Sequence, residues 1–263
     1  MFAPLTVLLY CKLSGAKFAI DSHTAAFLDN KWKNFYGLFK FIAKQAILNS
    51  CHNYKNLEIL KSLGIKPAMV MQFFNPVYNL AKLNQLMQDE KIERAVKASN
   101  LPIMMVNRFA SDDDWETVIK TAELMSEADF FITGDFKRTR VEEKKLPNNV
   151  FLTGYLKHDE FLKLMWRSRV ILAFTLRSDT ALWSIREIMA LNKPFITTDS
   201  EVLRHYFNEV ALFTKSDSQE LKQKIEQAIA NEDNIKNKIK IFLEKDKIRW
   251  NNEILEYKKY LNN

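Results

Sequence analysis

Cationic and acidic side chains recur at a few points of this sequence where chemistry on a charged substrate is expected. Arg108 and Arg177 can each bind a phosphate through the paired N–H groups of the guanidinium. Thr180–Ser184 opens a predicted helix, whose free N–H groups and dipole favour an anion. Glu187, one to two turns into that helix, suits two vicinal hydroxyls such as those of a ribose, and Asp179 suits another hydroxylated group. A diphosphate flanked by two sugars would satisfy all of these groups together.

The order of apolar and amphipathic segments predicts a sheet that brings these side chains together at one of its edges. Residues 99–230 alternate short apolar strands with amphipathic helices, which is typical of an α/β domain with a parallel sheet. Strands are expected at 103–106, 130–133, 150–153, 170–174, 194–197 and 210–213. Ligands of a doubly wound sheet bind beyond the carboxyl ends of its strands. Arg108, Gly134, Tyr155 and Arg177 each follow such a strand, so they are expected to meet there.

The rest of the chain divides into a short first part and a helical end. Helices are expected at 4–14, 29–49 and 53–63, and strands at 17–21 and 68–74. Residues 77–100 are polar and helix-prone with no clear apolar face, which favours a linker. Residues 232–262 predict one long helix or a broken pair. Three parts follow: 1–98, 99–230 and a C-terminal helical segment 231–263.

Composition excludes several classes of protein. The chain has 263 residues and only five glycines, and none is spaced as in a Walker loop or a G-x-G-x-x-G turn. Its four histidines are scattered, with neither an H-E-x-x-H motif nor a Cys/His cluster, so no intrinsic metal site is expected. Two cysteines, no signal peptide and no apolar run of membrane-spanning length predict a cytoplasmic protein.

The positive charge is concentrated at the start of the chain. The net charge is +7, and residues 1–98 hold 13 of the 39 basic but only 6 of the 32 acidic residues. This asymmetry favours an anionic partner, such as a phospholipid surface or a phosphorylated acceptor, over a merely solvated surface. Residues 31–44 combine lysines with aromatic side chains, which fits either a helix at an anionic membrane surface or a core-facing helix.

Residues 101–230 resemble the donor-binding domain of the GT-B glycosyltransferases, in particular the retaining glycosyltransferase family 4. The resemblance lies in the segments VNRFASDDDWETVIKTAELM, FFITGDF, NNVFLTGYL, HDEFLKLMWRSRVILAFTLRSDTALWSIREIMALNKPFITTD and EVLRHYF. KFAIDSHTAAFLDNKW and NPVYN resemble the later part of the family's N-terminal domain. The implied architecture is α/β of the GT-B type. It has a doubly wound Rossmann-like C-terminal domain and a truncated Rossmann-like N-terminal domain that lacks its first βα units.

The resemblance assigns roles to individual residues. The family's E-x7-E motif falls on Asp179 and Glu187, so an aspartate stands where the first glutamate contacts the transferred sugar, and Glu187 takes the ribose. The family's basic pair on the diphosphate falls on Arg108 and Asp113, so its lysine is lost. Arg177 is inferred, from its place after a strand rather than from the family, to supply the missing cation.

Further positions follow from the same resemblance. Gly134 matches a family glycine after the third strand, and Tyr155 and Leu156 fall where the nucleobase is held. Thr180 and Ser184 belong to the predicted anion-binding helix start. His23 matches a histidine that the family uses near the sugar.

A simpler interpretation stays open for four of these side chains. Asp179 also fits a helix cap, Glu187 a solvated carboxylate, Arg108 a surface ion pair and His23 a turn residue.

The expected function is retaining, metal-independent transfer of a sugar from a nucleotide diphosphate sugar to a glycan or lipid-linked acceptor. No cofactor is expected beyond the donor substrate itself. Association with the inner face of a membrane and a partner chain that completes the N-terminal sheet are both consistent with this assignment. The alternative is a non-catalytic remnant or partner subunit of a glycosyltransferase complex. Nucleic acid is not expected as a partner, because no nucleic-acid-binding module is present.

Overall fold

A computed structural model describes residues 3–28, 35–85, 87–139, 141 and 145–262. The chain forms two compact units. The first comprises Met1–Phe74, Asp179–Ala181 and Lys245–Asn263, and the second comprises Asn75–Ser178 and Leu182–Glu244.

The first unit is built on a three-stranded parallel sheet in the order β1-β2-β3. Its elements are α1 (Ala3–Ser14), β1 (Ala19–Ser22), α2 (Ala25–Leu28), α3 (Tyr36–Ala43), β2 (Leu48–Cys51), α4 (Tyr54–Ser62) and β3 (Ala68–Val70). Phe27, Ala43, Cys51, Leu60 and Ile65 form its core. Burial of these apolar side chains is the main favourable contribution to the stability of this unit.

Two expectations for the first unit are wrong. The predicted helix 29–49 does not continue to its end, because α3 stops at Ala43 and its carbonyl accepts a hydrogen bond from Nδ2 of Asn49 at 2.9 Å. Residues Leu48–Cys51 are instead a fully buried strand. The predicted strand 68–74 ends at Val70, since side chains of the C-terminal helix bind the backbone beyond it. Glu253 accepts from the amide of Gln72 at 3.0 Å.

The second unit contains a six-stranded parallel sheet in the order β6-β5-β4-β7-β8-β9. Its strands are β4 (Pro102–Val106), β5 (Asp129–Thr133), β6 (Val150–Gly154), β7 (Val170–Ala173), β8 (Phe195–Thr198) and β9 (Leu212–Thr214). Each predicted strand is present within two residues of its expected bounds. The chain order reverses between β4 and β7, and such a switch point is where doubly wound sheets bind ligands.

Helices cover this sheet. They are α5 (Leu80–Leu83), α6 (Glu90–Ala98), α7 (Trp115–Glu123), α8 (His158–Arg167), α9 (Trp183–Ala190), α10 (Glu201–Phe207) and α11 (Ser218–Ala230), followed by α12 (Glu232–Asn262). The C-terminal segment, expected as one helix or a broken pair, is a single helix of 31 residues. Its residues up to Glu244 group with the second unit and the later ones with the first.

Residues 77–100 are part of the second unit rather than a linker. Leu83, Met87, Ile92 and Val96 are all buried in its core. The apolar face was hard to recognise because α5 and α6 are short and separated. The division expected after residue 98 therefore lies nearer residue 74.

Among the described residues, no helix combines the length and apolar character needed to cross a membrane.

Candidate functional site

The switch point of the six-stranded sheet carries two arginines. Arg108 follows β4 and Arg177 follows β7, and these two strands are hydrogen-bonded neighbours in parallel register. The carboxyl ends of the two strands therefore open at the same edge of the sheet, as the sequence predicted.

Asp112 lies near both guanidinium groups. Its Oδ2 is 3.0 Å from Nε of Arg177 and 3.8 Å from Nη2 of Arg108. The backbone carbonyl of Asp112 also accepts from the amide of Leu176 at 2.7 Å, which ties the loop after β4 to the loop after β7. The Asp112 side chain is 13% exposed, whereas Arg177 is 42% and Arg108 is 74% exposed. Asp112 thus approaches both guanidinium groups from one side, and the exposed side of each guanidinium group is open to an anion. The surface ion pair that the position of Arg108 also allowed is present, at the long separation of 3.8 Å.

Asp113 shapes the loop that carries Arg108. One oxygen, Oδ2, accepts from the backbone amides of Arg108 and Ala110, each at 2.9 Å. Phe109 between them has a φ of 58°, a conformation uncommon for a residue with a side chain. Asp113 stands where the resemblance puts a lysine, and here it organises backbone instead of supplying charge to a ligand.

Gly134 is required by a close approach of two loops. Its φ is +110°, and a Cβ placed there would lie 2.6 Å from the carbonyl oxygen of Asn107 and 2.9 Å from Cα of Arg108. Only glycine lets the turn after β5 pack against the Arg108 loop.

Glu187 is a buried carboxylate on α9. It is 6% exposed, and its Oε1 accepts from the hydroxyl of Tyr78 at 3.2 Å and lies 3.9 Å from Nε2 of His158. Burial raises the pKa of Glu187. The charge of His158 and hydrogen bonds from Tyr78 and Trp183 oppose that rise in pKa but do not cancel it. Burial raises the pKa of Tyr78, and the charge of Glu187 raises it further. The Tyr78 hydroxyl therefore keeps its proton and donates the hydrogen bond. Glu187 is therefore not a solvated helix carboxylate.

The remaining predicted residues of the second unit differ in exposure. Tyr155 is 83% exposed in the loop after β6, whereas Leu156 is half-buried against the core. Ser184 is half-buried in the first turn of α9.

Helix α9 begins later than predicted. Its N-cap is Leu182, which makes no side-chain cap, so the free amides lie beyond Thr180 and not at it. Thr180 and Asp179 precede the helix and group with the first unit.

Asp179 is held within the first unit by three side chains. Its Oδ1 is 3.0 Å from Nζ of Lys55. Its backbone carbonyl accepts from Nδ2 of Asn53 at 3.0 Å and from Oγ1 of Thr24 at 3.3 Å. Asp179 is consequently an ion-paired carboxylate and not the helix cap that its position also allowed.

His23 lies in a cluster that the sequence did not reveal. Oδ2 of Asp21 is 3.1 Å from Nε2 of His52 and 3.8 Å from Nε2 of His23. The two imidazole rings have centroids 4.5 Å apart. Burial opposes ionisation of Asp21, but the close polar contact with His52, the hydrogen bond from Ser50 and the charge that the two histidines carry when protonated hold its pKa below the usual value. Two of the four histidines are scattered in sequence but adjacent in the fold.

Five functional candidates were missed from sequence: Asp112, Tyr78, His158, Lys55 and His52. Asp112 lies in a run of three aspartates before the next helix, where residue type favours a helix cap. Tyr78 and His158 stood only inside segments that carried the resemblance. No sequence signal distinguished Lys55 or His52, because each depends on a contact made by a distant part of the chain.

Residues 87–244 match the family described as glycosyl transferases group 1. The comparison with curated proteins found no match to this sequence. Solved structures match the fold at low identity. HepE from Anabaena, in complex with UDP-glucose, has a TM-score of 0.75 over 98% of this chain and 76% of its own, at 12% identity.

Two further structures agree. Sucrose-phosphate synthase from Thermosynechococcus elongatus has a TM-score of 0.68 over 99% of this chain and 73% of its own, at 15% identity. A glycosyltransferase from Rickettsia africae has a TM-score of 0.66 over 99% of this chain and 81% of its own, at 16% identity. The fold is that of the GT-B glycosyltransferases, and the chain belongs to the glycosyl transferase group 1 family.

Proposed function

We propose that this glycosyltransferase moves a sugar from a nucleotide diphosphate sugar to an acceptor with retention of anomeric configuration and without a metal ion at the diphosphate. The observation that carries the proposal is the pair of arginines, Arg108 and Arg177, at the switch point of the sheet. HepE, which shares the fold, was solved with UDP and with UDP-glucose.

Arg108 and Arg177 bind the diphosphate in this proposal. Negative charge develops on the departing diphosphate in the transition state, and fixed cations stabilise it without reorganising during the reaction. Asp112 holds Nε of Arg177, which leaves the other guanidinium N–H groups for phosphate oxygens. Two guanidinium groups then supply the charge that a divalent metal supplies in other transferases.

Glu187 accepts hydrogen bonds from the ribose hydroxyls. A buried carboxylate with a raised pKa is unfavourable unless a ligand satisfies it. Tyr78, His158 and Trp183 hold the Glu187 carboxylate in place, and its remaining acceptor capacity is assigned to the ribose. Tyr155 and Leu156 lie beyond β6, where the resemblance places the nucleobase.

His23 and Asp179 keep the roles that the resemblance implies, as contacts to the transferred sugar. Thr180, Ser184 and Gly134 complete the donor-binding assignment, Gly134 through the shape of its turn. No covalent protein nucleophile is assigned, because the acceptor attacks from the face that the leaving group departs from.

Thermal unfolding with UDP-, GDP- and ADP-sugars, with and without EDTA, tests the donor site. A donor at about 100 times its dissociation constant stabilises the folded protein by roughly 2.7 kcal/mol. We expect one nucleotide to raise the midpoint whether or not EDTA is present. A folded protein that shifts with no donor would contradict the proposal and favour the non-catalytic partner-subunit alternative.

The acceptor is proposed to be a glycan or a lipid-linked sugar at an anionic membrane surface. Helix α1 exposes Leu9, Tyr10 and Leu13 by 60%, 67% and 81%, next to the exposed Lys12. Apolar side chains beside lysines suit an anionic interface. The expected basic helix at 31–44 lies partly outside the described residues, and its described side chains Phe39 and Ile42 are used for packing.

Vesicle flotation tests the membrane contact. Leu13→Glu should abolish flotation with anionic vesicles, and Leu255→Glu, at a site 60% exposed on α12, serves as the matched control. Equal flotation of both variants would contradict the proposal. Self-association of the wild-type protein that only Leu13→Glu removes would instead favour a partner chain on this face.

A further inference from the structure

Asp21, His23 and His52 bring three potential metal-ligating atoms together in the first unit. The carboxylate oxygen of Asp21 and a ring nitrogen of each histidine all lie within 4.8 Å of one another. The parallel register of β1 and β2 causes this convergence, because Asp21 pairs with Ser50 and Ser22 with Cys51. His23 and His52 directly follow the last residues of these two strands and therefore lie side by side.

The hydrogen bond on the far side of His52 fixes which nitrogen faces the cluster. Nδ1 lies 3.0 Å from the carbonyl oxygen of Met71, which can only accept, so Nδ1 carries the proton. In a neutral ring Nε2 is then a lone pair, and it faces the Oδ2 acceptor of Asp21 at 3.1 Å. Nε2 is buried and makes no hydrogen bond with any of the described residues. Two acceptors at this separation require a proton or a cation between them.

Partners outside the cluster hold two of the three ligands in place. Ser50 donates to Oδ1 of Asp21 at 2.6 Å, which leaves Oδ2 directed at the histidines. The ring of Phe73 stacks on His52 at 4.2 Å. Supporting contacts of this kind, including an imidazole N–H bonded to a backbone carbonyl, are what orient ligands in metal sites.

The distances suit a small divalent transition metal. Bond lengths of about 2.0–2.1 Å in a tetrahedral site place ligand atoms about 3.3 Å apart. The His52–Asp21 pair, at 3.1 Å, is close to that separation. Nε2 of His23 lies 3.8 Å from the same oxygen, and its side chain, 67% exposed in the turn after β1, has room to move closer. Two imidazoles and one carboxylate with open positions favour zinc, cobalt or nickel over magnesium or calcium.

We propose that Asp21, His23 and His52 form a binding site for a divalent transition metal ion, with Nε2 of both histidines and Oδ2 of Asp21 as ligands. The sugar-transfer chemistry proposed above does not require this ion. A bound ion would coordinate Nε2 of His23 and Oδ2 of Asp21. While the site is occupied, Nε2 of His23 is therefore not available to contact a substrate.

Titration of tag-free, EDTA-treated full-length protein with Co²⁺, followed by visible absorption, and with Zn²⁺, followed by calorimetry, tests the site without any activity measurement. We expect one strong site per chain. His23→Ala and His52→Ala should each weaken binding by more than about tenfold. His158→Ala and His205→Ala, which remove the other two histidines, should leave it unchanged.

Two outcomes would overturn the proposal. One is binding that His23→Ala and His52→Ala leave intact. The other is the lack of a stoichiometric site together with an NMR spectrum showing His52 doubly protonated at neutral pH, because an imidazolium–carboxylate pair then explains the 3.1 Å contact. His23 is exposed, so His23→Ala is expected to fold normally, and the test remains decisive even if His52→Ala unfolds. Because donor-induced thermal shifts are read separately, failure of the metal site and failure of the donor site are distinguishable.

Discussion

Nε of Arg177 lies 3.0 Å from Oδ2 of Asp112, and that same oxygen lies 3.8 Å from Nη2 of Arg108. One carboxylate thus stands between two cations that come from different strands of the switch point. It lowers the repulsion between them and orients the more buried one, Arg177. In the proposed donor complex, the diphosphate binds the guanidinium N–H groups that Asp112 leaves unoccupied.

Arg177→Ala should weaken donor binding strongly. A hydrogen bond to a charged group contributes about 1.5–3 kcal/mol, so we expect the donor dissociation constant to rise by roughly 10- to 100-fold. Arg169→Ala is a matched control, because Arg169 is 40% exposed and its Nη2 lies 2.8 Å from Glu232, away from the switch point. Donor titrations followed by thermal shift measure both variants. An equal loss in the two would mean that Arg177 has no specific role.

Glu187→Gln should raise the stability of the folded protein at neutral pH and weaken its binding of the donor. The folded-state pKa of Glu187 lies above the ordinary value of 4.5, so the native state favours the protonated form. Its contribution to stability is therefore fully present below pH 4.5 and is lost as the pH rises through the folded-state pKa. Glutamine stays neutral and still accepts from Tyr78, so the variant should have a higher free energy of unfolding at neutral pH.

Urea unfolding at several pH values, together with donor titration, measures both effects. The stability gain should disappear below about pH 4, while donor affinity should fall at neutral pH because the charged ribose acceptor is gone. A variant that is less stable than the wild type at pH 7 would show that the native state favours the carboxylate.

The sequence was sufficient for the sheet of the second unit because its strands are apolar runs separated by regular helices. Every one of its expected strands is present, and the strand order reverses once, as in a doubly wound sheet. The register of the sheet, by contrast, determines which side chains meet. His23 and His52 are adjacent only because Ser22 pairs with Cys51, and nothing local in the sequence fixes that pairing.

The run Asp112-Asp113-Asp114 shows why the site could be predicted only in part. From residue type alone, all three would be assigned to capping of the next helix. In the structure Asp113 binds loop amides and Asp112 approaches the arginines, while Asp114, the N-cap residue of α7, makes no side-chain cap. Identical side chains at consecutive positions acquire different partners from the path of the loop, which a residue type alone does not specify.

Gly134→Ala should destabilise the protein and disturb the Arg108 loop. The positive φ disfavours any Cβ by about 1–3 kcal/mol, and contact with the backbone of Asn107 adds to this loss. Gly37→Ala is the control, since Gly37 lies in α3 with open space around it and alanine there should stabilise the helix by up to about 1 kcal/mol. Thermal unfolding of both variants measures the difference. If Gly134→Ala were as stable as wild type, the close packing of these two loops would be wrong.

Lys55→Gln should impair transfer through Asp179 while changing stability little. Nζ of Lys55 lies 3.0 Å from Oδ1 of Asp179, and both side chains are about a quarter exposed, so solvent screening limits the pair to under about 1 kcal/mol of folding stability. We expect kcat to fall by about tenfold, because the carboxylate assigned to the transferred sugar loses the charged group that orients it. Lys236→Gln, which breaks a pair with Glu232 of similar exposure, should leave kcat unchanged.

A double-mutant cycle with Asp179→Asn tests whether Lys55 affects transfer only through Asp179. If Lys55 acts only by orienting Asp179, adding Lys55→Gln to Asp179→Asn should produce no further loss of kcat. Additive losses would instead mean that Lys55 acts on the substrate or on another group independently. Unchanged kcat and KM in Lys55→Gln alone would remove Asp179 from the sugar-binding assignment as well, since its ion pair would then have no bearing on transfer.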